Sequence, residues 1–225
     1  NVKAGIIGFV HGEFDKIESE VTSVEKGDRS LQRCIEVEET LILDSGREIQ
    51  IGNVAKEERI KRKKARIEDG TISNEERVDI ETNYARFAAI PGQVVVLGTG
   101  GGTFGFDLIG RQVEALIERA EIDLKDFVSD HEDGTYWQYG FYNTGLNAEN
   151  GVFYGTEVEE DSNAQTFINS AVPNQIGLDF LYGDKPVKAK LTESSYVEVY
   201  QPGDWETPEY MDFLADAVLP YIRSP

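Results

Sequence analysis

The chain has 225 residues, 40% of them hydrophobic, and carries 42 Asp and Glu against 22 Lys and Arg for a formal charge of −20. That much apolar surface is enough for one substantial core, so a chain too polar to fold is excluded. Cys34 stands alone, which excludes an intrachain disulfide; no apolar run approaches the ~18 residues that a membrane-crossing helix needs, so no membrane partner is expected.

Only 11 of the 22 basic residues are Lys. Dense carboxylates with sparse Lys on an ordinary globular composition suit a surface adapted to molar salt, where ions screen its self-repulsion. A halophilic cytoplasm is therefore the expected setting. The first residues lack a basic segment followed by an apolar core, so no signal peptide is read. Asn1 in place of an initiator Met implies a trimmed start, which leaves a removed leader open.

In chain order, residues 3–10 (KAGIIGFV) read as a strand buried on both faces. Ile35, Val37, Leu41 and Leu43 alternate along a second strand, and Asp44-Ser45-Gly46 turns it into a third that holds Ile49 and Ile51. Residues 54–68 are strong helix formers with few apolar positions. They predict an exposed helix or a mobile arm. Val78, Ile80, Thr82 and Tyr84 then alternate along a strand towards the turn Pro91-Gly92, where a subdivision of the single 1–225 domain is conceivable, and Val94 to Leu97 forms the next strand.

From 110 to 128 the apolar spacing of three and four predicts a helix. An aromatic hairpin is expected over 136–142 and 152–158, followed by strands over 176–182, 187–191 and 196–200. Thr207-Pro208 opens a final helix whose stripe includes Tyr210, Phe213, Leu214 and Val218. There is no internal repeat. The fold class expected is α+β: a mostly antiparallel mixed sheet, two or three helices packed on one side of it, and an exposed basic helix.

Seven bases fall within eleven positions: Lys56, Arg59, Lys61, Arg62, Lys63, Lys64 and Arg66. On an acidic chain they form the candidate contact element for nucleic acid or an acidic protein surface, suited to phosphate backbones and offering no base-specific reader. The bland reading is a solvated helix face with Glu57–Lys61 and Glu58–Arg62 pairs. Residues 98–105 contain a formal GxGxxG at Gly100, Gly102 and Gly105, the pattern of a phosphate loop. Because 103–109 reads more easily as a strand, Gly100 to Gly102 is expected to be a hairpin tip.

His11 lies near Glu13 and Asp15, and His131 lies beside Asp130, Glu132 and Asp133. Brought together, they would suit a divalent metal and a hydrolytic water, although no ligand spacing supports this. Tyr136, Trp137, Tyr139, Phe141 and Tyr142 would provide a base-stacking platform if exposed, and are expected in the core. No catalytic, cofactor or metal residue is assigned. The functional expectation is a non-enzymatic binding or accessory protein acting through residues 56–66. The alternatives are a phosphate-handling enzyme, using either the glycine segment or the two His clusters, and an assembly subunit whose exposed strands pair between chains.

Overall fold

The computed structural model describes residues 2–100, 102–142, 145 and 149–223. In chain order the strands are β1 (Ala4–His11), β2 (Glu20–Lys26), β3 (Arg29–Ile42), β4 (Glu48–Glu68), β5 (Thr71–Ile90), β6 (Val94–Gly98), β7 (Leu116–Arg119), β8 (Glu121–Ile122), β9 (Thr135–Tyr142), β10 (Asn150–Tyr154), β11 (Val172–Tyr182), β12 (Lys185–Thr192), β13 (Tyr196–Gln201) and β14 (Ile222–Arg223). Among the described residues four α-helices interrupt them, α1 (Phe104–Gln112), α2 (Leu124–Ser129), α3 (Ser162–Ser170) and α4 (Thr207–Phe213), and α4 continues into a π-helical turn at Leu214–Val218.

Twelve strands form one antiparallel sheet in the order β10-β9-β11-β12-β13-β1-β6-β5-β4-β3-β2, with β7 pairing beside β13 along β1. Strands hold 56% of the chain and helices 19%, so the expected α+β class with a helical layer is overturned. The fold is mostly β.

Alternation along the central strands explains why the sheet is covered on both faces. Ile49, Ile51, Ala88, Ile90, Val94 and Val96 face a core that contains Tyr210, Phe213 and Leu214 of the C-terminal helical segment. Val54, Phe87, Val95 and Leu97 face the opposite way, against Phe106 and Ile109 of α1. Helices therefore lie on both sides, not on one as expected. The Tyr210 hydroxyl, fully buried, donates to Val197 O on β13 (2.9 Å) and pins α4 to the sheet.

Three further expectations fail locally. The helix over 110–128 is broken: α1 stops at Gln112, Glu114 takes a left-handed φ of 54°, and β7 follows. Its apolar spacing of three and four is used partly by strands, since Ile117 enters the core from β7. Residues 98–109 are not a hairpin, because the chain leaves β6, turns through Gly102 and enters α1 at Phe104. Residues 54–68 are not a helix. They are the outer part of β4, paired to β5 over nineteen positions from Gln50↔Ala89 and Ile51↔Ala88 outward to Glu68↔Thr71.

Candidate docking ribbon and acidic cleft

What makes residues 54–68 a strand is the turn that follows them. Asp69 and Gly70 both have positive φ (49° and 77°), the conformation of a two-residue hairpin turn that twists with its strands. The Thr71 hydroxyl donates to Glu68 O across it (2.8 Å). Ile67 then faces Ile72, Lys61 faces Val78, and Arg59 faces Ile80. Each cross-strand pair stabilises the ladder, which outweighs the modest helix propensity of Lys, Arg and Glu.

β3 accompanies β4 only as far as Arg33↔Lys56, and β6 accompanies β5 only from Phe87 to Ile90. Beyond Arg59, whose guanidinium donates to Lys26 O (3.0 Å) and approaches Asp28 (3.6 Å), no hydrogen bond or ion pair ties the ribbon to the rest of the described residues. From Ile60↔Asp79 to Glu68↔Thr71 it stands alone. At ~3.4 Å per residue that is an arm about 30 Å long.

The seven predicted bases thus lie on both faces of β4, Lys56 and Arg59 at the root and the other five on the free arm. Lys56 pairs with Glu58 (2.5 Å), Arg62 with Glu81 (3.1 Å), Lys63 with Glu76 (4.0 Å) and Arg66 with Glu75 (3.9 Å). The Lys56 ammonium, hydrogen-bonded to Glu58, holds that carboxyl below the usual carboxylate range. Among the described residues Lys61 and Lys64 make no ion pair, although Lys64 lies opposite Glu75 in the ladder. Over 56–83, the arm with its root, there are eight Lys and Arg and eight Asp and Glu, and over the free arm 60–79 there are six against five, so the acidic excess lies on the remainder of the chain. The charge is divided by strand: seven bases against three acids over 56–68, four acids against one base over 71–83. The Arg62, Lys63 and Arg66 pairs are solvent-exposed and therefore weak.

At the tip, Ile67 and Ile72 are 79% and 72% exposed on one face. The sequence signal for this hairpin was the Asp-Gly between two isoleucines.

A second feature lies on the body. The turn after α2, residues 130–134, faces the β11–β12 hairpin across an open cleft of about 420 Å³. It is lined by Phe180, Leu181, Pro186 and Val187 together with Asp130, Glu132, Asp133 and Asp179; of the apolar residues Leu181 is exposed, whereas Phe180 and Val187 are buried. His131 forms one wall. Its ring stacks on Phe127 (4.3 Å) and its Nδ1–H donates to Phe127 O (2.7 Å). Lys188 is held by Asp179 (3.2 Å) and by the Trp137 ring (5.2 Å), so it leaves the rim acidic. The sequence flagged 130–133, but not the hairpin opposite.

The other candidates separate. His11 lies 3.2 Å from Glu118 and edge-on to Phe9, while His131 packs with Phe127, Phe180 and Tyr221. Among the described residues no group of three or more His, Cys, Asp or Glu is placed to hold a metal. In the glycine segment, α1 does follow the strand, but Gly105 is pressed on Leu97 and Val54, where a Cβ would come within 2.7 and 2.9 Å. That residue serves helix packing. Of the five aromatics expected in the core, Tyr136, Tyr139 and Phe141 are buried, Trp137 is half-buried and Tyr142 is exposed; no helix of the described residues is long and apolar enough to cross a membrane. No family model matches the chain, and no curated protein matches it.

Proposed function

We propose that this chain is a non-enzymatic binding protein of a salt-rich cytoplasm, that the β4–β5 ribbon is its contact element, and that the target is a protein surface. One observation carries the reading: an arm of nine residue pairs has no packing role in its own fold. An isolated two-stranded ribbon is at best marginally stable in water, so a segment this long is an expensive ornament unless something docks on it. The near balance of its charges favours protein over nucleic acid, because a phosphate backbone laid on the bases would meet Glu75, Glu76 and Asp79 one strand away. Exposed Ile67 and Ile72 add an apolar anchor of the kind protein interfaces use.

A second reading keeps nucleic acid as the target, and Lys61 and Lys64 favour it because neither is in an ion pair among the described residues. Two variants test both. Replacing residues 60–79 with Asn-Gly should leave a cooperatively folding protein with Tm within about 4 °C of wild type, where 1 kcal/mol is worth ~2–4 °C. Loss of cooperative unfolding would make the ribbon a structural element and end the proposal. Binding of a labelled oligonucleotide should be equally weak for wild type and for the variant Lys61→Gln, Arg62→Gln, Lys63→Gln, Lys64→Gln. Salt-steep binding that this variant abolishes would transfer the target to nucleic acid.

A further inference from the structure

We infer that the partner is a second copy of this chain: the free edges of two β5 strands pair antiparallel across a two-fold axis at Val78, joining two ribbons into one four-stranded sheet. The inference rests on the docking reading above and names its partner.

β5 has β4 beside it along its whole length, but β6 on the other side only from Phe87 to Ile90. From Thr71 to Ala85 its outer edge has no partner strand among the described residues. Alternate residues direct their N–H and C=O groups outward there, which is a template for another strand. The edge is also two-faced. Ile72, Val78, Ile80 and Tyr84 lie on one face with Asn74, Glu76 and Thr82, and all four apolar side chains are exposed. The other face holds Ser73, Glu75, Arg77, Asp79, Glu81 and Asn83, none of them apolar.

The length of the edge sets the register. Two such edges overlap in full when Thr71 of one meets Ala85 of the other, which puts Val78 opposite itself. Residues of like parity then meet, so both apolar faces fall on the same side of the joined sheet. Ile72 meets Tyr84 on either side of the axis, Asn74 meets Thr82, and on the polar face Arg77 meets Asp79. Glu75 meets Glu81, but each is already drawn to an arginine of its own β4, Arg66 (3.9 Å) and Arg62 (3.1 Å). Pairing along β4 instead would set the run Lys61 to Lys64 against itself.

The turn of each copy reaches the other's root. Asp69-Gly70 arrives beside Arg86, where a notch of about 320 Å³ is lined by Lys3, Tyr84, Arg86, Gly98 and Thr99 and by no carboxylate. Arg86 holds Glu38 (2.7 Å); Lys3 is in no ion pair among the described residues. Glu68 and Asp69 therefore meet cations. Two strands alone are marginal in water, whereas three or more with an apolar face are stable, so each copy completes the other's ribbon. At about 1 M salt the Debye length is ~3 Å, and a contact made of backbone hydrogen bonds and apolar side chains does not depend on long-range attraction. Because the same edge is used by both copies, the contact closes at two.

Charge reversal about the axis tests this. One variant carries Arg77→Asp, the other Asp79→Arg. Sedimentation velocity in about 1 M KCl, where screening leaves only contact pairs, should show wild type passing from monomer to dimer and no further as concentration rises. Either variant alone should need roughly tenfold more protein to dimerise, because positions 77 and 79 then oppose like charges across the axis. Their equimolar mixture should recover wild-type behaviour, since the two charge sets match. In a Cys34→Ser background, mild oxidation should link Val78→Cys into a dimer, because directly opposed residues lie within disulfide reach. It should not link Glu76→Cys, which meets position 80. Wild type that stays monomeric overturns self-pairing but leaves the ribbon's stability and oligonucleotide tests standing. Dimers that persist after ribbon truncation overturn both readings. Dimers lost on truncation but indifferent to both charge reversals, or linked through position 76 and not 78, overturn the pairing at Val78 while keeping the arm.

Discussion

Gly52→Ala is the sharpest perturbation of the ribbon's root. Gly52 pairs with Val37 on one side and Phe87 on the other, next to the bulge between Val37 and Glu39. A Cβ built there would sit 2.0 Å from the Glu36 carbonyl oxygen and 2.8 Å from the buried Phe87 ring. Ordinary carbon–oxygen contacts are about 3.3 Å or longer, so β3 must move by more than about 1 Å from β4 at a place where interiors tolerate little change. Overpacking by one methyl against side chains costs ~1–3 kcal/mol. Here one obstacle is backbone, which cannot change rotamer, so the cost is at the upper end, about 3 kcal/mol. For a chain of this size that lowers Tm by roughly 6–12 °C. The assay is thermal unfolding in molar salt, with Gly203→Ala as control, since its Cβ would meet nothing within 4 Å. A fall of less than about 2 °C for Gly52→Ala, under 1 kcal/mol on the same scale, would mean that β3 and β4 are not registered as described. The division of charge between ribbon edges would then lose its basis.

Tyr210→Phe removes the hydrogen bond to Val197 O without opening a cavity, and should cost about 1–2 kcal/mol in denaturant unfolding; an unchanged midpoint would show that the hydroxyl is not paired there. Alkaline titration should be delayed and coupled to unfolding. Burial, first of all, pushes Tyr139, Tyr200 and Tyr221 up to about 12 and raises Tyr136, Tyr182, Tyr196 and Tyr210 as well. A phenol whose folded pKa exceeds its unfolded value of ~10 contributes stability that is whole below pH ~10 and is lost as pH climbs through the folded value. Absorbance at the phenolate band should therefore rise mainly together with loss of the fold; a full rise near pH 10 in folded protein would contradict the burial. Finally, a chain at −20 should lose stability when salt falls from molar to about 10 mM, where the Debye length reaches ~30 Å, and a salt-independent midpoint would remove the halophilic reading.

Strand alternation was legible wherever one face of the sheet meets a core. The β3–β4 turn at Asp44 to Gly46, the central β6, and β11 to β13 all follow from apolar residues spaced by two. The C-terminal helix was legible from its stripe, though its cap is Glu206, whose N–H is accepted by Glu209 (3.0 Å), and not Thr207. What misled was the outer ribbon. Neither face is buried there, so no hydrophobic period marks its β4 strand, and the Lys, Arg and Glu content points locally to a helix. Only Asp69-Gly70 betrayed the pairing, and a turn signal speaks for a hairpin only when both flanks are read together. The cleft was half legible: His131 and its acids are one short run, but their opposite wall comes from β11 and β12, some fifty residues on.

The same feature that hid the ribbon from sequence reading also argues for its use. Residues that serve a core are marked by periodic burial, and residues that serve only solubility are scattered in charge. Residues 56–83 are neither: bases and acids are sorted strand against strand, and two isoleucines are displayed at the far end. Sorting stabilises the ladder, since Lys63 faces Glu76 across it, but it does not require the ribbon to outrun the sheet by about nine residue pairs, ~30 Å at strand rise. Nor does stability explain Ile67 and Ile72, where Thr would pair as well across the strands and keep the tip polar. Length and an apolar tip are what the proposed docking role accounts for, since neither adds to the packing of the ribbon's own fold.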